Sequence, residues 1–290
     1  MINSIPHLER NDAMTGMHYL LPNVVYSTET GEELKMMLIL PWAQRFPEMK
    51  HEKHPLLVFV QGSAWKTADF NYQLPQLCQF ARETGFVVAT VRHRDCTHGH
   101  PFPAFLQDVK CAIRYLRKNA DEYGIDPERV AFWGTSSGGN TAMLIGSTIG
   151  DERYETAEHA GYSDKVNCVV SCFGPSDMPT LAAPLIETNE GKMMGYALCG
   201  SADPEVFHKA AIEMSPVSHI NADRNYPPFL LLNGTADPVV PYNQMEIMYE
   251  KLVECGVSAE AYYIDGAIHE DNFWSQEVLD IIRSFIEKNT

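Results

Sequence analysis

From about residue 56 to the end, apolar runs of strand length alternate with stretches whose apolar residues recur every three or four positions, and few architectures tolerate that alternation. A strand buried on both faces reads as an unbroken apolar run, while a helix lying over it shows one apolar stripe. Repeated in turn, the two predict an α/β fold with a mostly parallel central sheet and helices on both faces. The expected buried strands are LLVFV (56–60), FVVATV (86–91), RVAFW (129–133), VNCVVSCF (166–173), PFLLLNG (228–234) and VSAEAYYI (257–264). Helical spacing covers 72–83, 104–120, 137–147, 243–255 and 275–288. VVYST (24–28) and LKMMLILP (34–41), on either side of Glu29-Thr30-Gly31-Glu32, predict an antiparallel hairpin at the sheet edge, and 43–54 reads as a polar loop.

Residues 174–226 break the alternation with Pro175, Pro179, Pro184, Pro204 and Pro216. They predict a small cap or lid inserted into one domain that spans 1–290. A chain of 290 residues with 45% hydrophobic side chains can bury one large core. With 38 Asp+Glu against 22 Lys+Arg, the net charge of −16 has the wrong sign for neutralising nucleic-acid phosphates or anionic lipid. No window reaches 18 uninterrupted apolar residues, and MINSIPHLERNDAMTG lacks a basic run followed by an apolar one, so neither a leader nor a membrane span is expected. Seven cysteines, odd in number and without framework spacing, fit reduced thiols and a cytoplasmic location.

The segment with chemistry in it follows RVAFW directly. Gly134-Thr135-Ser136-Ser137-Gly138 has the form G-x-S-x-G between a strand and an apolar helix, the context of a nucleophile elbow. A sharp turn there lifts the Ser136 hydroxyl above the sheet edge, and the flanking glycines leave room for neighbouring chain. Shifting the frame to Ser137 puts Thr135 in the first glycine's place, so the register favours Ser136. The segment also lacks the lysine of a phosphate-binding P-loop and the spacing of a dinucleotide loop.

A serine hydroxyl needs a histidine base, and the base needs a carboxylate to orient it. In this arrangement the chain order is serine, acid, histidine, which leaves His159, His208, His219 and His269. Only His269, in Asp265-Gly266-Ala267-Ile268-His269-Glu270, follows the last expected strand, whereas His159 reads as an ordinary loop residue. Asp237, just after PFLLLNG, is the leading acid, with Asp177 and Asp265 as alternatives. For the oxyanion, the Ser137 N–H is one expected donor, and the loop Gln61-Gly62-Ser63-Ala64-Trp65 after LLVFV is placed to supply others.

These residues resemble the α/β-hydrolase family over about 40–290, and within it the acetyl esterase and feruloyl esterase branch related to the hormone-sensitive-lipase group. The resemblance is carried by PLLVFVQGSAW, by the block from FPAFLQDVK to GTSSGGN, by FGPSD, by PPFLLLNGTADPVVP and by GAIHE. It implies an α/β-hydrolase fold, a triad of Ser136, Asp237 and His269, and oxyanion donors at the N–H groups of Ser63 and Ala64. Where the family carries HGGGW this chain has QGSAW, so Gln61 replaces the histidine and two glycines are lost. The added Cβ atoms restrict the loop and narrow the oxyanion site, which favours small acyl groups.

The expected function is therefore hydrolysis of short acyl esters, acetyl or feruloyl, on small molecules or oligosaccharides, with no cofactor and no metal. Alternatives are a prolyl-oligopeptidase-like peptidase, whose usual propeller has no room here, and a non-catalytic hydrolase-fold binding protein. Trp65 beside the oxyanion loop is a candidate substrate contact, while Trp42, Trp133 and Trp274 read as packing residues. Met178, Met193 and Met194 either line an adaptable pocket or fill gaps in the core. HRDCTHGH (93–100) does not match a closed zinc arrangement and reads as a cleft wall or a loop tied by ion pairs of Arg92 and Arg94.

Overall fold

The structure, a computed structural model, describes residues 6, 9, 17–46, 52–70, 72–183, 188–201 and 203–290. Pro184 of the expected cap and residues 47–51 of the expected polar loop lie outside them. Among the described residues, eight strands form one sheet: β1 (His18–Ser27), β2 (Leu34–Pro41), β3 (His54–Val60), β4 (Val87–Val91), β5 (Ile125–Thr135), β6 (Cys168–Cys172), β7 (Phe229–Gly234) and β8 (Ala259–Ile264). Their order is β1-β2-β4-β3-β5-β6-β7-β8. The β1–β2 and β2–β4 pairs are antiparallel, and every pair from β3–β4 onward is parallel.

The helices are α1 (Leu74–Thr84), α2 (Ala104–Lys118), α3 (Ala120–Tyr123), α4 (Ser137–Ser147), α5 (Met178–Ala182), α6 (Asn189–Cys199), α7 (Pro204–Glu213), α8 (Asn243–Glu254) and α9 (Gln276–Asn289). The twofold alternation of a strand sends its apolar residues to both sides. Leu56, Val58 and Val60 of β3 join the core that holds Val109 of α2, Leu144 of α4 and Met248 of α8. Leu57 and Phe59 join the opposite core with Phe80 of α1 and Ile282 and Phe285 of α9. A charged residue on either side of β3 would be buried, which is why that strand reads as an unbroken apolar run.

β8 departs from its expected burial. It is the last strand, paired on one side only, and Tyr262 and Tyr263 are 39% and 51% exposed. Within 174–226, α5, α6 and α7 lie between β6 and β7. No described helix is long and apolar enough to cross a membrane.

Candidate active site

Four of the parallel strands, β3, β5, β7 and β8, carry the expected site residues at their C-terminal ends, the edge at which open α/β sheets bind ligands. Ser136 stands between β5 and α4 with φ +52° and ψ −121°, left-handed backbone that an L-residue adopts only under constraint. Part of the constraint is steric. A Cβ on Gly134 would lie 2.0 Å from the Gly138 carbonyl oxygen, and one on Gly138 would lie 2.0 Å from that of Val60. Both glycines let main chains approach closely enough to hold the turn, and the Ser136 N–H donates to the Cys172 carbonyl at 2.9 Å.

His269 follows β8, and its Nε2 lies 3.0 Å from Ser136 Oγ. Its Nδ1 lies 2.7 Å from Asp237 Oδ2. Asp237 follows β7 with its carboxylate fully buried, and Oδ1 accepts the amides of Val239 and Val240 at 2.8 and 2.9 Å. An ionised carboxylate can only accept, so Nδ1 carries the proton and Nε2 turns a lone pair toward the serine. Of the alternative acids, Asp177 is turned away and accepts from Thr180 Oγ1.

Two groups around the imidazole lie within the FGPSD and GAIHE motifs but receive no role from the sequence. The ring of Phe173, at the end of β6 with φ +42°, meets the His269 ring edge-on at 4.8 Å between centroids. Glu270, with φ +68°, accepts a hydrogen bond from the Tyr72 hydroxyl, and burial pushes its carboxyl above the usual range. A Cβ on Gly62 would sit 3.1 Å from Glu270 Oε1, so this carboxyl lies against the loop after β3.

That loop requires one correction. The Gly62 N–H donates to Thr135 Oγ1 and the Ser63 N–H to Ser137 Oγ, each at 2.9 Å. Ser63 is thereby withdrawn from the expected oxyanion donors, because its amide already serves a hydroxyl of the elbow. Ala64 remains, in left-handed backbone with φ +51°. Ser137 remains as well, in the first turn of α4, where amides have no intrahelical acceptor, and Ser136 provides no side-chain cap.

Ala64, Trp65, Ser136 and Ser137 open into a cavity of about 300 Å³. Its other walls come from Val239 and Val240 and from the cap, including Met178, Leu181, Met194, Leu198, Phe207 and Met214. Trp65 is 6% exposed and leans on Phe105, so it serves this chamber as a wall. Met178 and Met194 line the chamber, while Met193, 73% exposed, lines a separate open pocket with Lys66 and Tyr196. Cys199, also in the wall, has its thiol pushed up to about 11 by burial and is a poor nucleophile at neutral pH. In the 93–100 loop, Arg94 grips Asp108 through its Nε and Nη2, at 2.8 to 3.0 Å, and Arg92 stacks over the Phe70 ring at 3.9 Å.

The known proteins to which this chain is similar include esterases. The esterase LipC of Mycobacterium tuberculosis is 30% identical over 230 residues, 78% of this chain and 55% of LipC. The chain spans about half the length of the curated relatives it matches. A solved structure described as a truncated form of a carbohydrate esterase from gut microbiota superposes with a TM-score of 0.80 at 24% identity, covering 93% of this chain and 96% of that one. The propionate-bound esterase Est2 of Thermogutta terrifontis superposes with a TM-score of 0.73 at 21% identity, covering 92% and 93%. The fold is that of the α/β-hydrolases. Residues 45–252 match the family described as BD-FAE, and the chain belongs to that family.

Proposed function

We propose that this chain is a serine hydrolase of carboxylic esters, with Ser136 as nucleophile, His269 as base and Asp237 as its orienting acid. The observation that carries the reading is the continuous relay from Asp237 Oδ2 through the imidazole to Ser136 Oγ, at 2.7 and 3.0 Å, opening on an apolar chamber. Oγ attacks the ester carbonyl carbon as its proton passes to Nε2, and the oxyanion forms against the amides of Ala64 and Ser137. Collapse of the tetrahedral intermediate expels the alcohol, which takes the proton from Nε2. Water then repeats the cycle on the acyl-enzyme, releasing the acid and restoring Ser136.

Which half of the ester enters the chamber follows from the proton. The leaving oxygen must meet Nε2, so the alcohol lies on the imidazole side. The chamber touches Ser136, Ser137 and Ala64 and does not touch His269, which makes it the acyl site. Its size exceeds the need of an acetyl group and falls at the lower end for small-molecule sites, about 300–1,000 Å³. The proposed substrates therefore run from acetyl esters to esters of larger apolar acids, aromatic acids such as feruloyl among them. A saccharide as the alcohol is supported by the motif resemblance and by the carbohydrate esterase described above. A fluorophosphonate probe should label Ser136 in the parent protein and leave the Ser136→Ala variant unlabelled. Equal labelling of both would overturn the assignment, and an unreactive parent would point to a hydrolase-fold binding protein.

A further inference from the structure

Behind the sheet edge formed by β1 and β2, three side chains from two parts of the chain, one on α2 and two adjacent in the loop before β6, converge without any role in the relay. Cys111 of α2 presents Sγ, Glu158 a carboxylate oxygen and His159 a ring nitrogen, and these atoms all lie within 4.8 Å of one another. None of the three residues lines the acyl chamber. We propose that Cys111, Glu158 and His159 form a structural site for a divalent transition metal, zinc in the first place, that fastens the β1–β2 hairpin to α2.

The first support is unspent donor capacity. His159 Nδ1 and Glu158 Oε2 are buried, and neither has a hydrogen-bond partner among the described residues. Buried polar atoms are ordinarily paired, so two orphans facing one thiol call for a shared occupant. The second is the outer shell. His159 Nε2 donates to the Tyr26 carbonyl of β1 at 2.7 Å, which leaves the Nδ1 lone pair for the metal, the arrangement that orients metal-bound imidazoles elsewhere. The Tyr115 ring flanks the imidazole at 5.4 Å between centroids. Glu158 is braced in the same way, since Oε1 accepts the Thr28 amide at 3.4 Å.

Charge and softness select the ion. Thiolate, imidazole and carboxylate together suit zinc, and three protein ligands leave a fourth position to water. One thiolate and one carboxylate neutralise a divalent ion, while the buried Arg114 guanidinium beside this half-buried site leaves one further positive charge there. A bound metal would take Cys111 as the thiolate and displace its proton into solvent. The competing cation is Arg114, whose Nη2 donates to Thr156 Oγ1 at 2.7 Å while Nε and Nη1 have no acceptor among the described residues. Were Arg114 to close on Glu158 in solution, the site would be shut and no metal would bind.

The test uses the whole purified chain, stripped with a chelator and then given zinc or cobalt. One equivalent of zinc should be retained after desalting, and the melting temperature should rise with it. The cobalt form should show a thiolate-to-cobalt charge-transfer band, which reports Cys111 directly. Cys111→Ser should lose that band, and His159→Gln and Glu158→Gln should weaken metal binding at least about tenfold. Ester hydrolysis should persist in all three variants. Failure of the parent chain to retain metal, or unchanged retention in the variants, would overturn the proposal and leave the reading of Ser136 untouched.

Discussion

Two regions of this molecule take polar side chains out of water, and they do it to opposite ends. At the C-terminal edge of the sheet, the Ser136–His269–Asp237 relay has fixed hydrogen bonds at one end and a reactive hydroxyl open to a chamber at the other. Behind α2, Lys110 is fully buried and ties itself to Asp164 and, at 2.5 Å, to the Thr148 carbonyl, while Asp164 also accepts the Gly150 amide at 3.0 Å. Nothing in the second group is left open to a substrate. Burial and charge alone therefore do not mark an active site. What sets the Ser136 edge apart is a strained turn that presents its hydroxyl and a cavity beside it.

The largest effect expected from this contrast is catalytic. Ser136→Ala should lower kcat by about a millionfold, and Asp237→Asn, which favours the wrong imidazole tautomer, by about ten-thousandfold. Both proteins should melt close to the parent temperature. Steady-state turnover of p-nitrophenyl acetate, set beside thermal melts, checks both statements. A variant that loses its stability along with its activity would erase the distinction between the two regions.

The converse holds behind α2. Asp164→Asn keeps the volume but leaves the Lys110 ammonium buried without its counter-charge, and breaking such a pair destabilises by about 3–5 kcal/mol. Chemical denaturation should show that loss, with turnover per folded molecule unchanged.

These two regions were unequally legible in the sequence. The elbow could be read because its pattern is local, Gly134 and Gly138 flanking Ser136 within five residues between a strand and a helix, even though the backbone that requires Gly138, at Val60 of β3, is distant in sequence. His269 and Asp237 could be placed because each follows a strand whose apolar run is unmistakable. The Ser63 amide could not be assigned correctly, since the group that captures it, Ser137 Oγ, is distant in sequence and meets it only once β3 and β5 pair. Lys110 looks like any charge on a helix, and its partner Asp164 sits in a loop without regular spacing. Phe173 and Glu270 lie within FGPSD and GAIHE, yet nothing in those motifs assigns them a place beside the imidazole, and their positive φ values appear only in the fold. β8 was expected to be buried because its apolar content was read without knowing that no strand follows it in the sheet.

The acyl chamber sharpens the comparison at intermediate magnitude. Each methylene that enters an apolar cavity contributes about 0.8 kcal/mol, so kcat/KM should rise about fourfold per carbon along a series of p-nitrophenyl esters until the chamber is full. Ala211 of α7 is buried in the chamber wall. Ala211→Phe should end that rise at a shorter acyl chain and spare acetyl turnover. An identical length profile in parent and variant would mean that the acyl group lies elsewhere.

The smallest effect concerns Glu270, a half-buried carboxyl beside His269. Burial raises its folded pKa above the usual glutamate value, against the hydrogen bond from Tyr72 and the nearby imidazole. A raised carboxyl pKa means that the folded chain holds the proton more tightly than the unfolded chain. The stabilisation is then complete below the ordinary value of about 4.3 and is lost as pH rises through the folded pKa. Glutamine is neutral at every pH, so Glu270→Gln should melt with the parent in acid and above it at pH 8, by about 2 °C or less. Thermal melts at both pH values decide the matter: a shift of equal size at each would assign the effect to altered packing against Gly62 and Tyr72. A shift confined to the higher pH would show that even at the reactive edge one charge is carried against the stability of the fold.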